Sequence, residues 1–271
     1  TFSNTPDTDF VLEDSRVSMR EAIERALAAL PREYGPIIAG RQRRGERQFE
    51  RENPAAPSQA VARVWLAGQG DAEKAVAAAR AAQPGWADAP ARDRAALLNR
   101  LGDLLAERRH DLAALEVLET AKPWREADAD ISEAIDYCRY YAAEAVELAE
   151  RVRRRDVPGE RNAYRYLPRG VGLIISPWNF PLAILTGMSA AAVATGNACI
   201  LKPSENAMAV AGELVRLAGE AGLPDGVFNY LPCPGSTVGE RLVRHEGVDF
   251  IAFTGSREVG LHIYAAAAAS P

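Results

Sequence analysis

The sequence predicts an α/β protein: a Rossmann-like parallel sheet preceded by an amino-terminal helical region. Three observations carry this expectation. Apolar runs at 171–175, 198–201, 227–231 and 248–253 each lead into a stretch of helical period. Residues 71–150 are Ala-rich and poor in β-branched residues, as helices are. Three short polar blocks lie just past apolar runs: Ser176-Pro177-Trp178-Asn179-Phe180-Pro181, Lys202-Pro203-Ser204-Glu205, and Phe253-Thr254-Gly255-Ser256 continuing to Val259-Gly260. An open parallel sheet holds its ligand at that place, outside the carboxyl ends of its strands.

The elements follow in order. Residues 1–57 read as a polar leader, a helix from about Arg20 to Leu30, short segments around Tyr34–Gly40 and the turn Asn53-Pro54-Ala55-Ala56-Pro57. Residues 58–150 form the helical part, broken at Pro84–Pro90 and at Pro123. In its last helix the 3.6-residue period puts Ile131, Ala134, Ile135, Cys138, Ala142, Ala145 and Ala149 on one face. Glu126, Asp130, Glu133 and Tyr137 gather opposite, so Cys138 reads as core.

Within 151–170 the Pro158-Gly159 turn and the alternation over 162–167 predict a hairpin arm. Residues 171–271 form the sheet core, with helices expected over Pro181–Thr195, Glu205–Ala221, Ser236–His245 and Ser256–Ala269. Right-handed crossovers then cover both faces of a doubly wound sheet. No segment matches GxGxxG; the nearest glycine pairs are Gly235 with Gly239 and Gly255 with Gly260.

Composition narrows the function classes. The net charge of −5 with mixed signs leaves no basic footprint for nucleic acid, and Arg151–Arg155 reads as a solvated helix end. No apolar run approaches the ~20 residues of a spanning helix, and the start at Thr1 shows no signal-peptide pattern. Cys138, Cys199 and Cys233 lack CxxC spacing, and His110, His245 and His262 match no metal motif. A soluble cytoplasmic protein with no metal, membrane or nucleic-acid partner is expected. Only Lys74, Lys122 and Lys202 are lysines among 32 basic residues, which gives Lys202 added weight.

Each block admits a chemical reading and a structural one. Lys202 and Glu205 flank a strand-to-helix junction where both reach a ribose; a carboxylate there accepts from the hydroxyls and repels a 2′-phosphate. A helix start with Pro near its first turn explains them equally well. Gly255-Ser256 offers N–H groups and a hydroxyl to a pyrophosphate, or merely a helix cap. Gly235-Ser236 repeats that geometry, with Ser236 as cap, and both glycines would allow close approach to a cofactor. Asn179, held between prolines, suits an oxyanion donor, or is an ordinary turn residue. Trp178 and Phe180 more often pack than bind.

Taken together, Pro-Trp-Asn-Phe, Lys-Pro-Ser-Glu, Gly222–Asn229 (Gly-Leu-Pro-Asp-Gly-Val-Phe-Asn) and Phe-Thr-Gly-Ser-x-x-Val-Gly resemble the coenzyme domain of the aldehyde dehydrogenase superfamily. The likeness extends upstream through Glu119-Thr120-Ala121-Lys122-Pro123-Trp124 and Ala127–Ile131. The opening Asn4–Phe10 and the segment Glu133–Tyr141 are similar to the branch that oxidises L-glutamate γ-semialdehyde (1-pyrroline-5-carboxylate), alone or within proline utilization A proteins.

The resemblance implies NAD-dependent oxidation of that aldehyde to L-glutamate in proline degradation, by a homo-oligomer whose oligomerisation hairpin starts in 151–170. It implies that Asn179 holds the oxyanion, that Lys202 and Glu205 bind the adenosine ribose, and that Ser176 contacts the cofactor and Ser256 its pyrophosphate. Phe253, Thr254 and Gly255 would shape the cofactor pocket, with Pro177, Trp178, Ser204, Gly235, Gly239 and Val259 also cofactor-binding. Glu133 and Phe180 would line the aldehyde site. The family's general-base glutamate and cysteine nucleophile follow the Phe-Thr-Gly-Ser block and have no counterpart among these residues, so a coenzyme-binding domain without the catalytic domain is expected. The alternatives are an aldehyde dehydrogenase of other specificity and a non-catalytic nucleotide-binding or assembly fragment.

Overall fold

The computed structural model describes residues 2–150, 153–154 and 157–269. Helix α1 spans Glu13–Ala28 and buries Met19, Ala22 and Ala26. It starts about two turns ahead of the expected Arg20, because Glu13 and Asp14 place negative charge at the positive end of the helix dipole. Five strands that were not expected follow: β1 (Arg32–Tyr34), β2 (Ile37–Ile38), β3 (Arg41–Gln42), β4 (Arg47–Asn53) and β5 (Ala56–Leu66). They form the small sheet β1-β5-β4, and β2 and β3 join the main sheet. The expected 53–57 turn therefore closes the β4–β5 hairpin, and residues 58–66 are strand rather than part of the helical region.

Four helices come next: α2 (Gln69–Asp88), α3 (Ala91–Glu107), α4 (Arg109–Thr120) and α5 (Trp124–Glu150). The break expected over Pro84–Pro90 falls at the far end of that range, between Asp88 and Ala91, since α2 runs through Pro84. Pro84 lies on the exposed side, while buried Trp86 anchors the last turn by donating from Nε1 to the Val193 carbonyl at 2.9 Å. On α5 the predicted apolar face is buried from Ile131 to Ala145, and Ala149 is exposed. Asp130 departs from the polar-face expectation: it is fully buried because it has partners on another helix, described below.

Strands β6 (Arg153–Arg154) and β7 (Ala163–Tyr164) pair antiparallel, so the hairpin exists but is shorter than the 162–167 alternation predicts. Arg151 and Arg155 lie outside the described residues. The nucleotide-type core then alternates as expected: β8 (Val171–Ile175), α6 (Ala183–Ala194), β9 (Ala198–Lys202), α7 (Met208–Ala221), β10 (Phe228–Tyr230), α8 (Glu240–Val243), β11 (Phe250–Phe253) and α9 (Arg257–Ala268). Instead of a helix from Ser236, a π-helical turn at Gly235–Gly239 leads into the short α8, with Pro234 and not Ser236 at its cap position.

The main sheet has the order β11-β8-β9-β10-β2-β3. Its first four strands are parallel, and β2 and β3 extend it antiparallel. Two cores sandwich the sheet because alternate strand residues point to opposite faces. Cys199 and Leu201 pack among α3, α5, α6 and α7. Ala198 and Ile200 pack with α2, α8 and α9. Close spacing of β8 and β11 depends on Gly172, where a Cβ would fall 2.3 Å from Cζ of Phe250.

Candidate nucleotide and aldehyde site

Register places the predicted blocks on one edge of the sheet. Ile175 is aligned with Lys202 on one side and Phe253 on the other. The backbone N–H of Ser176 donates to the Lys202 carbonyl at 3.3 Å, and that of Thr254 donates to the Ile175 carbonyl at 3.1 Å. Ser176, Lys202 and Thr254 thus leave three adjacent parallel strands at the same level.

Lys202 and Glu205 converge with the Gly235–Gly239 turn. Lys202 is buried. A Cβ on Gly239 would lie 3.0 Å from its Cε, so glycine there makes room for the lysine stem. Glu205, half-buried, accepts from the Gly235 N–H at 3.2 Å. Ser176 is buried, and its Oγ has no hydrogen-bond partner among the described residues. Ser204 Oγ accepts from the Asn206 N–H in the turn before α7. Phe253 packs under the next turn, where a Cβ on Gly255 would approach its ring to 2.7 Å. Ser256 caps α9, its Oγ accepting from the Val259 N–H at 3.3 Å. Pro177 is half-buried and Val259 exposed.

Helix α6 is capped from a distance, as is α7, and both caps come from the helical layer. The Asp130 carboxylate accepts from the N–H groups of Leu182 and Ala183 at 3.1 and 3.0 Å. The Glu119 carboxylate accepts from those of Ala209 and Val210 at 2.7 and 2.9 Å. Burial pushes Glu119 up to about 7, against the pull of the helix amides. In a GxGxxG fold the helix amino terminus receives the pyrophosphate. Here the protein's own carboxylates fill that seat on α6 and α7, in keeping with the missing fingerprint.

Asn179, Trp178 and Phe180 are exposed on the turn between β8 and α6. A buried ionic cluster supports this turn. Lys122 Nζ lies 2.8 Å from Glu116 Oε1, without the alignment of a hydrogen bond, 3.9 Å from Asp130 Oδ2 and 4.3 Å from the centre of the Phe180 ring. Burial, then the neighbouring Asp130, hold the Glu116 carboxyl well above the usual range. Sequence reasoning gave this cluster no role, although Lys122 shares with Lys202 the signal of being one of three lysines.

Glu133 faces a different opening. Its Oε1 accepts from the Tyr137 hydroxyl at 2.8 Å. It lines a cleft of about 490 Å³ together with leader residues, and Phe180 is not among the lining. Asp130 lies one turn before Glu133 and caps the helix that follows Phe180. A larger cleft, about 950 Å³, lies between α5, α6, the β11 edge and residues 164–169. Of the predicted site residues only Thr254 lines it. Lys202, Glu205 and Gly235 gather instead at the open sheet edge.

All three cysteines are buried and free. Burial raises the Cys138 thiol to about 12 and the Cys233 thiol to about 11, and raises Cys199 as well. A thiol nucleophile acts as its thiolate, so none of the three is suited to attack an aldehyde near neutral pH. Among the described residues no cluster of metal-ligating side chains occurs, and no helix is long and apolar enough to cross a membrane.

The sheet order, the occupied helix ends and the strand-end motifs define a nucleotide-binding module of aldehyde dehydrogenase type. The chain belongs to the aldehyde dehydrogenase family, which matches residues 41–271. A 1-pyrroline-5-carboxylate dehydrogenase of Anoxybacillus flavithermus is 42% identical over 267 residues, 98% of this chain and 52% of the relative. A 1-pyrroline-5-carboxylate dehydrogenase from Thermus, solved with bound NAD, superposes with a TM-score of 0.96 at 43% identity, covering 98% of this chain and 52% of that one. Proline utilization A from Bdellovibrio bacteriovorus superposes with a TM-score of 0.98 at 44% identity, over 100% of this chain and 28% of that one. The chain thus spans about half the length of the curated relatives it matches.

Proposed function

We propose that the full-length protein oxidises L-glutamate γ-semialdehyde to L-glutamate with NAD, in proline degradation, and that this chain supplies the cofactor-binding half. The carrying observation is the convergence of Lys202, Glu205 and Gly235 beside the unpartnered Ser176 Oγ, in a chain similar along 98% of its length to the NAD-bound Thermus enzyme. These groups fit ribose hydroxyls: Glu205 accepts, Lys202 donates and Ser176 does either. Ser256 and the Phe253–Gly255 turn would border the pyrophosphate, with Pro177, Trp178, Ser204, Gly239 and Val259 around the cofactor. When bound, NAD would accept the hydride. Asn179 would donate to the oxygen of the aldehyde as charge develops there. Phe180 would pack against the aldehyde, and Glu133 would read the substrate's ammonium.

The β6–β7 hairpin, with Tyr164 exposed on β7 and Tyr166 and Leu167 exposed just beyond it, supports a homo-oligomeric arm in the same proposal. Three free cysteines accord with a cytoplasmic setting.

The test is NADH formation by the full-length protein with glutamate γ-semialdehyde against a panel of plain aldehydes; a stronger preference for any plain aldehyde rejects the substrate. Glu205→Gln should narrow the preference for NAD over NADP by about tenfold, since a 2′-phosphate would meet a carboxylate only half screened by water. Comparable kcat/KM for both cofactors in the unmutated protein would refute the role of Glu205. Residues 1–271 alone should form no NADH from the aldehyde, because the raised thiols offer no thiolate. Steady turnover by that polypeptide would contradict this.

A further inference from the structure

The family match begins at residue 41. Yet the leader ahead of it is held firmly on α5 by two buried carboxylates. Asp136 accepts from Asn4 Nδ2 at 2.8 Å and from the Thr5 N–H at 2.7 Å. Asp128 accepts from the Thr8 N–H at 2.7 Å and its hydroxyl at 2.6 Å, and Arg109 ties Asp128 to the Pro6 carbonyl, donating at 2.6 and 2.9 Å. Asp128 and Asp136 are 1% and 8% exposed, so the carboxylate ends of these bonds are shielded from water, which strengthens a charge-assisted hydrogen bond. Phe2 adds an edge-on contact with Tyr140, ring centres 5.5 Å apart.

Strapped this way, the leader forms one wall of the 490 Å³ cleft, with Phe2, Asn4, Thr5 and Asp7 facing Glu133 and Tyr137 of α5. Tyr137 fixes Glu133 through Oε1, and no hydrogen bond from a described residue reaches Oε2. Tyr137 also lines the large cleft that contains Thr254, so the two openings adjoin through this side chain.

We propose that residues 2–7 are a specificity element: by walling the cleft over Glu133, the leader sets the preference for an aldehyde carrying an ammonium over a plain one. The proposal rests on the reading of Glu133 as the substrate's ammonium partner. A carboxylate open to bulk water gains little from an exposed cation, whereas one enclosed on a second side gains more. An added polar wall also leaves unpaired groups facing a substrate without the ammonium, and such mismatches discriminate more strongly than apolar contacts do.

Two variants of the full-length protein test this. Asn4→Asp combined with Thr5→Pro sets a like charge against Asp136 and removes a backbone donor. Replacement of residues 2–7 by a Gly-Ser sequence of equal length removes every leader side chain from the cleft while keeping the Thr8 anchor. In both, the ratio of kcat/KM for glutamate γ-semialdehyde to that for propanal should fall about tenfold, mainly through KM of the semialdehyde. KM for NAD and kcat/KM for propanal should stay within twofold. A ratio unchanged in the Gly-Ser variant overturns the proposal, and so does an equal loss with both aldehydes, which would make the leader a structural support only. A parent enzyme that prefers propanal rejects the proposed substrate itself; a parent that prefers the semialdehyde, with an unmoved ratio in the variants, rejects the leader's role alone.

Discussion

Asn179→Ala in the full-length protein should lower turnover by ~10²–10³ while leaving NAD affinity within about twofold, the usual cost of deleting one preorganised oxyanion donor. The turn that carries Asn179 does not depend on its side chain for shape. Prolines bracket the segment at Pro177 and Pro181. Asp130 holds the first amides of α6, and Lys122 holds Phe180. Removing an exposed carboxamide from so supported a turn should shift the melting temperature little. Turnover, NAD dissociation and melting temperature measured on one preparation separate the possibilities. Parallel losses in all three would make Asn179 a turn residue, and turnover within twofold of the parent would remove it from the chemistry.

Lys122→Met should destabilise the protein by ~3–5 kcal/mol at pH 7, because it strands Glu116 and Asp130 as buried carboxyls without their cation. The sign of its pH dependence follows from Glu116. Its folded-state pKa lies above the unfolded value, so folding takes up a proton. The burial penalty is absent below the unfolded pKa and grows as pH rises toward the folded one. Lys122 offsets that penalty, so its removal should cost least at acid pH and most at neutral pH. Urea midpoints of parent and variant between pH 5 and 8 check this, and a loss below about 1 kcal/mol at pH 7 would show that the cation is dispensable.

Much of the carboxyl-side architecture was legible because its strands are buried on both faces and read as continuous apolar runs. Val171–Ile175 and Ala198–Lys202 are found where expected. The strands between Arg32 and Leu66 escaped because β4, Arg-Gln-Phe-Glu-Arg-Glu-Asn, lies mostly in solvent and has little apolar signal. The alternation of Val64 and Leu66 around Trp65 was the usable clue in β5. Pro84 misled because a proline on the solvent side of a helix anchored by Trp86 costs less than the packing it would disrupt.

At the site, Lys202 and Glu205 lie three positions apart in one short motif and could be paired from it. Their meeting with Gly235 depends on the strand order. Asp130 was assigned to a polar face because helical period reports which side a residue lies on and not what stands against it. The acceptors that hold α6 and α7 are far away in sequence, and no local pattern marks them.

Those distant caps have a consequence for how the chain acquires its structure. Asp130 lies 52 residues before Leu182, and Glu119 lies 90 before Ala209. Neither α6 nor α7 has a side-chain cap of its own at its start. A helix left with open amides at its first turn frays. Full order at the start of both helices therefore depends on the α4–α5 pair lying against the sheet, a contact that closes those long loops. The helical layer and the nucleotide sheet, distinct as they look in sequence, should unfold as one cooperative unit.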